Sequence, residues 1–375
     1  MDSTARSTAS AVRGPSTWRT DVVLFLLAAA VVAVPALRAL GDHDMDPTTL
    51  LRVGRYSAAR ELVEQDFQDP VLTEDYGHDG QQFYVLAATF PFLEDAQGNV
   101  DRLRYRARRV LLPAVTSPVP RGAPLVWAMF GVNVAAVGAA AIGVGRLARR
   151  LGTTPWLGLV VAVTPAMVES VEGTLADAPA FALAIWGVVV WRRRPWLAAA
   201  LFLLAALSRD TTIVVPLACA LVAWRGRTSD RDVRGAVVPM LASVGGFAVW
   251  AVAVNLWLPP TQGAISSNFV ADAFSQFALP FTAWFDVGIT SFEVMVGVLL
   301  LVGGLVAAWM LRDQLPELSL WLVADAALLI IADESVVGRA QNFARVAPLA
   351  LTALALALGR TYLSRVPHDV APEPA

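Results

Sequence analysis

Long apolar runs recur along this chain, separated by short clusters of arginine, proline, glycine and acid. A helix crossing a bilayer needs about 20 apolar residues, with roughly 17 as the lower limit. By that measure spans are expected at 22–40, 123–145, 155–170, 177–191, 195–208, 211–224, 236–257, 290–311, 315–332 and 345–360. The charged pair Arg209-Asp210 interrupts 195–224, which is counted as a helical hairpin. The fold class expected is an all-α polytopic membrane protein of about ten helices, with eight to eleven as the range.

The polar intervals refine this picture. One long region, 41–122, separates the first two spans. Within it, 47–67 reads as an amphipathic helix, with Leu50, Leu51, Val53, Tyr56, Ala59 and Leu62 at helical spacing, lying along the interface. A second candidate, 102–115, is cationic at its start and apolar at its end. The tails 1–18 and 366–375 are rich in Ser, Thr, Pro and charge and are expected to be disordered, leaving 19–365 as a single transmembrane domain. No A-x-A-like site follows the first apolar run, so a retained signal-anchor helix is expected rather than a cleaved signal peptide.

Composition agrees with a membrane class. Hydrophobic residues make up 56% of the chain and charged residues 16%, and the mean hydropathy is +0.57. All 29 basic residues are arginine. A single cysteine, Cys219, excludes an intramolecular disulfide and a cysteine zinc cluster. The net charge of −2 conceals a segregation by position. With the N-terminus inside, the expected cytoplasmic segments hold Arg146, Arg149, Arg150, Arg192, Arg193, Arg194, Arg225, Arg227, Arg231, Arg234, Arg312, Arg360 and Arg365. Beyond the first loop the outer segments hold only Arg209, Arg339 and Arg345. This is the positive-inside pattern. It predicts a multi-pass plasma-membrane protein with both termini cytoplasmic and 41–122 extracytoplasmic.

Candidate chemistry concentrates in TEDYGHDGQQFY, residues 73–84. Asp75, His78 and Asp79 crowd a turn that Gly77 and Gly80 make permissible, and Gln81 and Tyr84 follow at helical spacing if a helix begins at Gly80. A solvated loop is the plain alternative, but Phe83, Tyr84, Phe90 and Phe92 suit a loop packed on the membrane domain better. Asp79 is best placed to act as a general base. Asp75 and Asp79 could supply hard ligands for Mg2+ or Mn2+, although no tight D-x-D is present and no metal site is assigned. Arg104, Arg106, Arg108 and Arg109 fit either lipid headgroups or a phosphate clamp, the clamp being favoured for Arg109 beside the apolar VLLP. Arg209-Asp210 reads as a functional intramembrane pair or as a pair closing its turn. Other outer acids are Glu169, Glu172 and Asp177, and the last outer segment offers Glu334, Arg339, Asn342 and Arg345, whose arginines read as anion binders.

The stretches YGHDGQQFY, RYRARRVLLP, GTLADAPAFALA and LAALSRDTTIVVPLA together resemble the bacterial branch of the GT-C superfamily of integral-membrane glycosyltransferases. Its members typically read Y-D-G-Q-x-Y-Y, then R-Y-R-R-I-L-Y-P, then L-x-R-E-T-G. The resemblance covers most of 20–350, with His78, Leu112 and Thr212 as departures. It implies a polyprenyl-phosphate sugar donor and a cell-envelope glycan or protein acceptor, met on the extracytoplasmic face. A hexosyl or pentosyl group, such as mannose or arabinose, would move with inversion. Under it Asp79 activates the acceptor, Gly80 and Gln81 are its motif neighbours, Arg109, Arg339 and Arg345 hold the leaving phosphate, and Arg209 and Asp210 match the R-E pair. A lipid-linked sugar flippase and a non-catalytic glycan-binding protein are the alternatives; no nucleic-acid partner is expected.

Overall fold

A computed structural model describes residues 17–226, 230–259, 292–330 and 348–363. Among the described residues the regular structure is almost all helical. Its long helices are α1 (Thr17–Gly41), α6 (Ala123–Arg150) and α11 (Asp230–Trp257). Between α1 and α6 run the short helices α2 (Arg60–Asp66), α3 (Asp79–Thr89), α4 (Leu103–Ala107) and α5 (Leu111–Thr116). After α6 come α7 (Pro165–Glu172), α8 (Asp177–Val190), α9 (Pro195–Ser208) and α10 (Val214–Arg225). Beyond α11 lie α12 (Phe292–Leu311), α13 (Pro316–Ile330) and α14 (Pro348–Leu363). The sheet among the described residues is one parallel pair, β1 (Val53–Gly54) with β2 (Leu72–Thr73), in register Val53 to Leu72 and Gly54 to Thr73.

The ten-span expectation is overturned. Among the described residues three helices are long and apolar enough to cross a membrane: Trp18–Gly41, Ala123–Arg150 and Arg234–Trp257. The physical reason lies in the breaks between the apolar runs. The 155–170 run divides into a 3-10 segment and α7, because Thr164 takes an extended conformation ahead of Pro165. Gly173 ends α7, and Arg192–Arg194 with Pro195 separate α8 from α9. Helices α8 and α9 have 14 residues each. At about 1.5 Å per residue they reach about 21 Å, short of the roughly 30 Å hydrocarbon core.

The protein is membrane-associated through its long apolar helices. Helix α1 turns Leu24, Ala28, Val32 and Ala36 inward against α6, yet Val23, Leu26, Leu27, Val31 and Val34 on its outer side are also apolar. A helix hydrophobic all round belongs in a bilayer or a protein core.

Region 41–122 also differs from expectation. The amphipathic helix over 47–67 is replaced by a 3-10 turn, strand β1 and α2. Arg52 takes a left-handed φ of 48°, and the chain there pairs with the 72–77 segment instead of continuing as helix. The 102–115 helix divides into α4 and α5. Helix α4 docks on the far end of α11, where Trp250 Nε1 donates to Ala107 O at 3.2 Å. The tails expected to be disordered, 1–18 and 366–375, fall outside the described residues, apart from Thr17 and Trp18, which open α1.

Candidate functional site

The loop before α3 is built by short-range hydrogen bonds. One Asp75 oxygen accepts from Gly77 N and Thr73 Oγ1, both at 2.8 Å. These bonds, Gly77 N–H first, hold the Asp75 carboxyl below its ordinary value. Gly77 has a left-handed φ of 73°, and a Cβ there would lie 2.4 Å from Arg52 O. His78 N donates to Arg52 O at 3.0 Å. Asp75 thus shapes the turn. Among the described residues no group of three His, Cys, Asp or Glu could hold a metal ion.

Helix α3 begins at Asp79, one residue ahead of the expected Gly80. An acid in the first turn is favoured by the helix dipole. Gln81 is buried, accepting from Gly54 N at 3.1 Å and donating to Tyr76 O at 2.7 Å. It locks the loop to β1. The polar groups of Tyr84 and Gln81 reach different partners. The Tyr84 hydroxyl donates to Asp66 Oδ2 at 2.6 Å and accepts from Gly122 N at 2.9 Å, bracing α3 between α2 and the start of α6. Burial, then the Asp66 carboxylate, push the Tyr84 phenol well above its usual range. Tyr84→Phe should lower stability by about 1–3 kcal/mol, since it orphans a partly buried N–H and an acceptor; chemical unfolding beside wild type measures this.

An ion-pair cluster surrounds the start of α3. Asp79 Oδ1 meets Arg106 Nη1 at 2.8 Å, and Arg106 grips Asp101 through Nε and Nη2, each at 2.9 Å. Arg109 meets Asp210 Oδ1 at 3.0 Å, donates to the Tyr105 hydroxyl, and stacks on that ring with its central carbon 4.4 Å from the centroid. Burial works against both cations, but Asp101 and Asp79 around Arg106, and Asp210, Tyr105 and Asp79 around Arg109, outweigh it and keep both charged. His78 Nε2 lies 3.2 Å from Glu169 Oε1, and Arg52 Nη2 pairs with Glu172 at 2.9 Å. Arg209 pairs with Asp177. The expected Arg209-Asp210 pair is therefore split, each member reaching a different element.

Two buried side-chain nitrogens on residues of this cluster, His78 Nδ1 and Arg109 Nε, have no hydrogen-bond partner among the described residues. Buried polar groups are ordinarily satisfied, so such atoms mark where a ligand would supply partners: an acceptor for the Arg109 Nε–H, and for His78 Nδ1 a donor or an acceptor according to the ring's tautomer. Several expected residues thus meet: His78, Asp79, Arg106, Arg109 and Asp210, with Arg209 and Asp177 paired nearby. Arg104 and Arg108 turn away, donating to Leu258 O at 2.9 Å and Asn255 Oδ1 at 3.4 Å at the end of α11. Glu334, Arg339, Asn342 and Arg345 lie outside the described residues. Asp101, Tyr105 and Gln82 were missed from sequence. Gln82 Oε1 accepts from Asp101 N at 3.2 Å and so positions the acid that holds Arg106. The available signal was local: Tyr105 stands four residues before Arg109 on a helical stretch, where such pairs meet.

No family model, no curated protein and no solved structure matches the chain. The GT-C resemblance is corrected, since among the described residues its short motifs stand with three helices long and apolar enough to cross a membrane, not the many that the family implies. The mannosyltransferase-like reading goes with it. Inverting transfer from a polyprenyl-phosphate sugar on an extracytoplasmic face presupposed the ten-span topology, and the three qualifying helices among the described residues do not supply that topology.

Proposed function

We propose that this protein is a membrane-associated enzyme acting by acid–base chemistry on a phosphate-bearing, hydroxylated substrate. The observation that carries the reading is the convergence of Asp79, Arg106, Arg109 and the His78–Glu169 pair on one cluster, with Arg109 Nε and His78 Nδ1 buried and unpartnered. An aspartate oriented by Arg106, itself fixed by Asp101, has the layout of a base held in place by a third group. Arg109 presents a planar fork suited to phosphate, stiffened by Tyr105 beneath it. Under this reading Asp79 accepts a hydroxyl proton, Arg109 binds the anion, and Glu169 sets the orientation of the His78 ring.

The protein in lipid nanodiscs, titrated with a medium-chain alkyl phosphate and incubated with a membrane lipid-phosphate extract followed by phosphorus NMR, tests both roles. Arg109→Gln should weaken alkyl-phosphate binding about 10- to 100-fold, the loss of one charge-assisted contact, with Arg109→Lys intermediate because the charge stays and the fork goes. Asp79→Asn should bind as wild type does but turn over about 10²–10⁴ times more slowly. Equal turnover by Asp79→Asn, or unweakened binding by Arg109→Gln, would sink the assignment.

Binding without turnover is a second reading. It is favoured by the saturation of Arg106, which already spends its guanidinium on Asp79 and Asp101. Anion binding in wild type with no change of any phosphorus signal would select it.

A further inference from the structure

We infer that the end of the bundle opposite the ion-pair cluster is a binding rim for anionic phospholipid headgroups. Contacts between helices place many termini at one level there. Asp21, near the start of α1, pairs with Arg146 and Arg149 at the end of α6. Arg150 donates to Val189 O at the end of α8, and Arg192 pairs with Glu317 in the first turn of α13. Arg360, near the end of α14, donates to Gln314, just past the end of α12. Helix α9 starts directly after Arg194, and α10 returns to the same end against α13.

Large aromatics ring this level. Trp18, Trp196 and Trp309 are 63%, 63% and 65% exposed, and Trp156, Trp224 and Tyr362 are exposed beside them. Exposed tryptophans at a single level are the mark of a membrane–water boundary, where an apolar ring and a polar N–H are both accommodated. Cations stand next to them: Arg19 lies over the Trp18 ring at 5.7 Å and Arg312 over Trp309 at 5.0 Å. Arg193 and Arg194 are exposed, and no carboxylate among the described residues lies within 4.0 Å of either.

The chemistry of the partner follows from what lies beside the rim. Within about one helical turn of Trp18, Trp196 and Trp309 the exposed surface becomes apolar, with Val22 and Val23 next to Trp18, Leu197 next to Trp196, and Leu305 and Val306 next to Trp309. A nucleic acid or an acidic protein would satisfy the arginines and leave these aliphatic side chains in water. A molecule anionic at one end and aliphatic immediately beyond it satisfies both, and an anionic phospholipid has that form. Arginine suits the role because its stem can lie along acyl chains while its guanidinium reaches the phosphate.

The test is quenching of tryptophan fluorescence in bilayers that mix plain phosphatidylcholine with dibrominated phosphatidylglycerol, or with dibrominated phosphatidylcholine. Comparison of the two gives the relative affinity for the anionic lipid. Wild type should prefer phosphatidylglycerol by about fivefold or more at low salt, as expected for about one unshielded cation at the surface, and the preference should fall as salt is raised. Arg193→Gln with Arg194→Gln should bring the ratio toward one. Both side chains are exposed, so the fold should survive, and an unchanged thermal unfolding curve checks it. Arg55→Gln removes an exposed cation paired with Glu74 near the opposite end and should keep the preference. Absence of any preference in wild type, its full retention in the double variant, or its equal loss in Arg55→Gln would each overturn the proposal.

Discussion

Replacing Arg106 by Gln should destabilise the protein by about 2–3 kcal/mol, somewhat less than the cost of removing one partner from a fully buried ion pair, because Asp101 keeps much of its contact with water. Arg106 is the cation shared by Asp79 at 2.8 Å and Asp101 at 2.9 Å, and its own side chain is largely buried. Without it two carboxylates near the start of α3 face each other with less compensating charge. Asp101→Asn in the same background should recover part of the loss, because it removes one of the two uncompensated acids. That non-additivity identifies the pair as coupled.

The same variant should alter the acid limb of stability. Burial alone would raise the Asp101 pKa, but the Arg106 hydrogen bonds and charge outweigh it and hold the group below its ordinary value. A depressed carboxyl contributes stability that is present above its unfolded pKa and lost as pH falls through its folded pKa. Wild type should therefore lose stability on acidification below about pH 4, near the unfolded aspartate value, and Arg106→Gln should lose less over the same interval. Unfolding midpoints across a pH series, for wild type and variant in the same detergent, measure both effects. A variant as stable as wild type, with the same acid limb, would mean that the Arg106 contacts contribute little to the fold.

The residues of this cluster were visible in the sequence as polar outliers in an apolar chain. Thus His78, Asp79, Arg106, Arg109 and Asp210 could be named before any geometry was known. Their pairing was not visible, because it depends on contacts far apart in sequence. Arg109 finds Asp210, and His78 finds Glu169, only after α3, α4 and the turns around 173–177 and 209–213 converge. Arg209 and Asp210 look like a pair because they are adjacent, yet an extended backbone at Arg209 sends the two side chains to different partners.

Helix positions were legible wherever apolar runs were long and free of punctuation, as at 22–40, 123–145 and 236–257. The other apolar runs also mark helices close to where they were expected, but counting them as spans failed at 155–170, 177–191 and 195–208, because it ignores how proline, glycine and clustered arginine divide a run into pieces too short to cross a bilayer. The 47–67 helix failed for another reason. Its apolar spacing is helical, but the backbone hydrogen bonds around Arg52 and Gly54 are taken by a segment twenty residues away. Tertiary pairing overrode the local pattern.

Gly80→Ala should be strongly disruptive. Helix α3 approaches the turn after α7 so closely that a Cβ on Gly80 would lie 2.1 Å from Gly173 O and 2.7 Å from Thr174 Oγ1. The first obstacle is backbone, so no rotamer change relieves it. The turn itself is held, with Thr174 at a left-handed φ of 47° and its hydroxyl donating to Leu50 O at 3.1 Å. Accommodating one methyl group therefore means separating α3 from the 173–174 turn, with Asp79 and His78 at the start of α3 and Glu169 in α7 drawn apart. A loss of at least about 3 kcal/mol is expected, at the upper end of overpacking costs because the clash is with backbone. Gly131→Ala is the matched control. Gly131 lies within α6 with nothing within 4 Å of an added Cβ, so that change should be neutral or stabilising by up to about 1 kcal/mol through helix propensity alone. Unfolding curves for the two variants, together with anion binding at the cluster, separate the outcomes. If Gly80→Ala melts with wild type and still binds alkyl phosphate, α3 does not rest on the 173–174 turn, and the placement of His78 against Glu169 falls with it.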